Sequence, residues 1–155
     1  MIYPGNEAPD INLPDLDGKA FQLREALRQG PVVLAFFKVS CPTCQMTFPF
    51  LQRLADAPAT NAQLIAISQD TAEDSREFHQ RLGVSMRTLI DARPGYAASN
   101  AYGISNVPSL FVVERDGTIS AAADGFNKAA IEDIGRLFGV KPFRETDHVP
   151  ALRPG

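Results

Sequence analysis

The stretch Val32-Val33-Leu34-Ala35-Phe36-Phe37-Lys38-Val39-Ser40-Cys41-Pro42-Thr43-Cys44 decides how this chain is read. Its apolar start shows no alternation, the pattern of a central strand covered on both faces. Pro42 stands where a first helical residue belongs, because the N–H that proline lacks is not needed there. Phe48, Leu51, Leu54 and Ala55 then recur at helical spacing, so the helix is expected from Pro42 to about Ala57, with a kink at Pro49. Cys41 and Cys44 are the only cysteines. At a strand-to-helix junction, two thiols with this spacing can close a tight disulfide and open it again, which points to redox chemistry. Two cysteines are too few for the framework of a disulfide-stapled secreted domain.

The bulk composition narrows the classes. A chain of 155 residues fits one domain, and 45% hydrophobic with 21% charged residues is ordinary for a globular protein. A net charge of -3 gives no electrostatic case for nucleic acid or an anionic membrane. No apolar run is long enough to span a bilayer, so no membrane partner is expected. Met1 to Asn6 lacks a basic region and an apolar signal core, which predicts a cytoplasmic protein, or a periplasmic one if an export signal has been removed.

Outward from the junction, the remaining elements follow from local pattern. Asp10 to Leu23 reads as a hairpin turning at Asp17-Gly18, followed by a short helix from Arg24 to Arg28. Gln63 to Ser68 is a second buried strand. Thr71 and Asp74 form a capping box for a helix that ends at Gly83. A brief strand from Arg87 to Ile90 and a helix from Pro94 to Tyr102 come next. Ser109 to Glu114 and Thr118 to Ala123 make a hairpin across Arg115-Asp116-Gly117. Asn127 caps a last helix whose Ile131, Ile134, Leu137 and Phe138 share one face. The order predicts an α/β fold, a mixed sheet with helices on both faces. Residues 1–139 form the domain. The tail 140–155, with Pro142, Pro150 and Pro154, has no clear periodicity and reads either as an ordered wrap or as a loose end.

The thiols are expected to be unequal. Cys41, at the first turn of its helix, faces unpaired backbone N–H groups and the positive end of the helix dipole, both of which stabilise a thiolate. Lys38 is a further candidate for tuning that sulfur, with an exposed solvated side chain as the alternative. Cys44, one turn further in, is expected to be more buried and harder to ionise. Cys41 therefore attacks and Cys44 resolves. A zinc site needs four ligands, and only His79 and His148 are on hand, both remote in sequence. Gln45 stands where a c-type haem site has histidine. No cofactor or metal is expected. His79 reads as a solvated face residue, and Phe36, Phe37, Phe111 and Phe138 as core; Phe48 and Phe126 also read as core, with the rim around the thiols as the alternative.

Cys41-Pro42-Thr43-Cys44, Pro49, and Val107-Pro108-Ser109 ahead of the strand Leu110-Phe111-Val112-Val113 together resemble the thioredoxin fold. The entry Gly5-Asn6-Glu7-Ala8-Pro9-Asp10 with Leu16-Asp17-Gly18-Lys19 is similar to the redoxin branch. So are Asp91, Ala101-Tyr102-Gly103-Ile104 and Asp116-Gly117-Thr118-Ile119. That branch holds the cytochrome-maturation thiol-disulfide reductases and the alkyl hydroperoxide reductase/thiol-specific antioxidant group. The resemblance covers about Pro4 to Gly139. It implies a thioredoxin-like domain with an N-terminal β-hairpin extension, and a cis peptide before Pro108 that sets the Val107 backbone beside the Cys41 sulfur to dock an extended substrate strand. It also implies a protein disulfide as substrate and a protein or small thiol as electron donor, in a monomer or weak homodimer.

Departures from the pattern keep other readings open. Ser40 replaces the tryptophan common before the first cysteine, and Ala35 replaces a buried acid. The dipeptide Pro42-Thr43 between the thiols is a candidate for tuning their chemistry. Around Cys41 the chain also echoes thiol peroxidases, but Lys38 stands where those need Thr or Ser to hold the peroxide. Arg87 or Arg93 would have to supply their arginine. A thiol peroxidase with Cys41 as its peroxidatic residue is the alternative enzyme. A redox sensor or binding module is the non-enzymatic one.

Overall fold

Val32–Phe37 forms β3, and every side chain in it is buried. Adjacent strand residues point to opposite faces, and two aromatic clusters show that both faces are covered. Phe36 packs against Tyr102 (5.3 Å between ring centroids) and Phe111 (5.8 Å). Phe37 packs against Phe48 (4.4 Å) and Phe78 (4.8 Å) on the other side. Burying each such ring contributes about 1.5–3 kcal/mol. The unbroken apolar run is therefore a consequence of position.

The structure, a computed structural model, describes residues 1–58 and 60–155. In chain order the elements are β1 (Asn12–Pro14), β2 (Ala20–Gln22), α1 (Leu23–Ala26), β3, α2 (Pro42–Ala55), β4 (Gln63–Ser68), α3 (Ala72–Leu82) and β5 (Thr88–Ile90). There follow α4 (Ala97–Ala101), β6 (Ser109–Val113), β7 (Ile119–Asp124), β8 (Phe126–Asn127), α5 (Lys128–Phe138) and β9 (Leu152–Arg153). The central sheet has the order β5-β4-β3-β6-β7. β3 runs parallel to β4 and antiparallel to β6, so the sheet is mixed as the element order predicted. β1 and β2 form the expected N-terminal hairpin, and Asp15 organises its turn by accepting the Asp17 and Lys19 amides.

The helix signals were mostly legible. Thr71 caps α3 by accepting the Asp74 amide at 3.1 Å, and Asn127 caps α5 by accepting the Ala130 amide at 3.0 Å. Gly83 and Gly139 end these helices in the left-handed conformation. Helix α2 continues through Pro49 to Ala55. Helix α4 is shorter than the sequence pattern suggested. Pro94 lies outside it in a cis peptide, and the buried Asp91 carboxylate accepts the Ala98 and Ser99 amides at the start of the helix. His79 also differs from expectation: it is half-buried, with Nε2 2.8 Å from the Thr88 hydroxyl, because α3 lies close against β5.

The segment after α5 is an ordered wrap. Phe143 packs at a tilt against Phe50 (4.9 Å) and meets Phe126 edge-on (5.9 Å). Arg53 donates to the Pro142 carbonyl and pairs through both guanidinium nitrogens with Asp147. Beyond these anchors the chain returns to β8, with which β9 pairs antiparallel in a separate two-stranded sheet. Among the described residues no helix is long and apolar enough to cross a membrane.

Candidate active site

Three chain segments meet at the carboxyl end of β3. The register pairs Phe36 with Ser109, so Val107 and Pro108 lie next to the turn that leaves β3. Ser109 also pairs with Asp124 on β7, and the Gly125 amide donates to the Pro108 carbonyl at 2.8 Å. The strand-to-helix turn, the Val107-Pro108 segment and the β7–β8 corner therefore share one edge.

The turn itself is pinned on both sides. Asp70, just past β4, accepts the Val39 amide at 2.8 Å, and Gln45 donates its side-chain amide to the Val39 carbonyl at 2.9 Å. The Lys38 carbonyl accepts the Cys41 amide. The Lys38 side chain is exposed.

Cys41 is the N-cap of α2, with extended backbone (φ -80°, ψ 116°) and Pro42 at the first helical position. Its sulfur accepts the Cys44 amide at 3.2 Å. This is one of the orphan donors of a helix start, met here by sulfur where Ser or Asp more often serves. The Cys41 thiol in turn donates to the Val107 carbonyl at 3.4 Å. The Val107–Pro108 peptide is cis. Cys41 is partly exposed and Cys44 fully buried, and both thiols are free. Burial pushes the Cys44 thiol well above its ordinary range, and the neighbouring Cys41 and Asp70 push in the same direction.

The residues named for the site are thus brought together. Cys41, Cys44, Val107 and Pro108 are neighbours. Pro42 is exposed at the helix start, and Thr43 is buried with its hydroxyl donating to the Pro154 carbonyl at 2.7 Å. Arg87 is engaged elsewhere, on Asp15 at 3.2 Å and over the Phe21 ring. Arg93 instead lines a polar groove with Lys38, Ser40 and Asp70. Reading from sequence missed Asp70, Gln45, β8 and the returning segment 151–155. Asp70, β8 and the returning segment reach the site only through long-range packing, and Gln45, next to Cys44 in sequence, shows its role only once the turn at Val39 is folded back onto it. No cluster of His, Cys, Asp or Glu suited to a metal occurs among the described residues.

The model of the AhpC/TSA family matches residues 4–122. The chain belongs to the AhpC/TSA family. It is 28% identical over 145 residues to the thiol-disulfide oxidoreductase ResA of Halalkalibacterium halodurans, covering 92% of this chain and 80% of that protein. It is 30% identical over 120 residues to the methylamine utilization protein MauD of Paracoccus denitrificans, covering 76% of this chain and 56% of that one. Among solved structures, the thioredoxin domain of a thiol-disulfide oxidoreductase from Bacteroides vulgatus superposes with a TM-score of 0.77. That match covers 89% of this chain and 99% of the domain at 18% identity, and establishes the thioredoxin-like fold.

Proposed function

We propose that this family member is a thiol-disulfide oxidoreductase that reduces protein disulfides through the Cys41–Cys44 pair. The observation that carries the reading is the inequality of the two sulfurs. Cys41 caps the helix, partly exposed, with the Cys44 amide aimed at it; Cys44 lies buried one turn behind. An amide already oriented toward sulfur stabilises an anion there without reorganisation.

In the forward reaction the Cys41 thiolate attacks one sulfur of a partner disulfide. A Cys41–partner bond forms, the partner S–S bond breaks, and the departing sulfur leaves with the electron pair and takes up a proton. Cys44 then attacks Cys41. The mixed disulfide breaks, the second partner sulfur leaves, and it takes up the proton that Cys44 gives up. The partner gains two electrons and two protons, and the protein holds a Cys41–Cys44 disulfide. A protein dithiol or a small thiol returns it to the reduced state. The cis Val107–Pro108 segment offers backbone to an extended partner chain beside the attacking sulfur.

Two observations favour this reading over a peroxidase. The side chain at position 38 is an exposed lysine with no hydroxyl to hold peroxide, and Arg87 is paired with Asp15. The test is insulin reduction with dithiothreitol, run beside peroxide consumption. Turnover is expected in the first assay and none above background in the second; peroxide turnover without insulin reduction overturns the reading.

A further inference from the structure

The groove beside the thiols is already filled, by the chain itself. β9 lies along β8, and the ladder is extended by the Lys128 amide donating to the Ala151 carbonyl at 3.0 Å. The segment then crosses the first turns of α2. Thr43 donates its hydroxyl to the Pro154 carbonyl at 2.7 Å, and the Arg153 guanidinium reaches the Met46 sulfur at 3.6 Å. Thr43 and Met46 are three apart, so they present one face of the helix. The segment ends at Gly155, against the carbonyl of Val107 and the ring nitrogen of Pro108. That same Val107 carbonyl is 3.4 Å from the Cys41 sulfur.

The contacts are those of an extended peptide read through its backbone. Leu152 is 68% exposed, so apolar burial is not what holds the segment. Two close approaches make glycine necessary. A Cβ on Gly125 would lie 2.5 Å from the Arg153 carbonyl oxygen, and a Cβ on Gly155 would overlap the Val107 carbonyl. The anchor at Phe143 and Asp147 keeps the segment near its groove. A short tether of this kind supplies an effective concentration on the order of millimolar, so few contacts suffice to keep the groove occupied.

We propose that residues 151–155 are a built-in pseudosubstrate: they occupy the groove between β8, the first turns of α2 and Val107, and an extended peptide partner must displace them to reach Cys41. The word pseudosubstrate rests on the function proposed above; the docking itself does not.

Two full-length variants test this. Gly155→Val drives the end of the segment off Val107, and Leu152→Pro with Arg153→Pro removes the amides of β9. Neither touches the dithiol. The probe is an acetylated peptide, Ala-Leu-Arg-Pro-Gly, which carries no sulfur, with binding followed through the backbone amide signals of Gly125 and Lys128. The expected result is binding to at least one variant at least tenfold tighter than to the unaltered protein. Equal binding to all three proteins, or binding to none, overturns the proposal. A second arm measures exchange with a disulfide-linked peptide, where the variant that binds the probe should react several-fold faster than the unaltered protein while its alkylation by iodoacetamide changes less than twofold. An unchanged exchange rate overturns the competition. If no protein exchanges with the disulfide but the probe still binds selectively, the oxidoreductase reading falls and the docked segment stands.

Discussion

The backbone amide of Cys44 points at the sulfur of Cys41 from 3.2 Å, so the residue proposed to resolve the mixed disulfide also helps hold the sulfur proposed to attack. The donor is backbone, and it survives replacement of the Cys44 side chain. Cys44→Ser is therefore expected to keep attack while losing resolution, and to accumulate mixed disulfides with protein partners. Cys41→Ser is expected to abolish insulin reduction. Non-reducing electrophoresis and mass spectrometry check both; absence of adducts from Cys44→Ser removes its resolving role.

Burial sets a second difference between the thiols. The Cys44 thiol is raised far above its usual range, so it stays protonated where an ordinary cysteine, near pH 8.5, ionises. Iodoacetamide added to the folded reduced protein between pH 7 and about 9 should modify Cys41 alone, and a second equivalent should enter only on unfolding. Peptide mapping reads the sites. Modification of both thiols in the folded state contradicts this geometry.

The ion pair that anchors the wrap predicts a pH dependence. Arg53 and the Arg144 amide hold the Asp147 carboxyl down at about 2, below the ordinary value of about 3.9. The unfolded chain thus binds this proton more readily. The stability the pair contributes is present in full above the ordinary value and is lost as pH falls toward 2. Asp147→Asn should lower the melting temperature at pH 7, with the gap to the unaltered protein closing between about pH 4 and pH 2. A constant gap across that range contradicts the assignment.

Phe78 joins α3 to the sheet, with its ring 4.8 Å from Phe37 and 5.5 Å from Phe48. It is 1% exposed. Phe78→Ala leaves a cavity between close-packed rings and should cost about 3–5 kcal/mol, measured by urea unfolding. A loss below about 1 kcal/mol would mean that α3 packs by other contacts.

The sequence alone determined the strand Val32–Phe37, the helix opened by Pro42 and the dithiol between them, because strand burial, helix capping and cysteine spacing are local patterns. The caps at Thr71 and Asn127 were legible for the same reason. The Val107-Pro108 pair was read through its resemblance to a known fold, not from its own pattern. Only the tertiary structure decided that Asp70 and Gln45 pin the turn at Val39, that His79 reaches Thr88, and that residues 151–155 return to lie beside Val107 and Thr43. The contacts of Asp70 and of residues 151–155 join residues far apart in the chain, and those of Gln45 and His79, though closer in sequence, depend on how the turn before α2 and the path from α3 to β5 are folded. The register of β3 on β4 brings Asp70 to Val39, and the register of β3 on β6 with the packing of Phe143 and Arg53 brings the returning segment to Val107; neither leaves a periodic trace in the sequence.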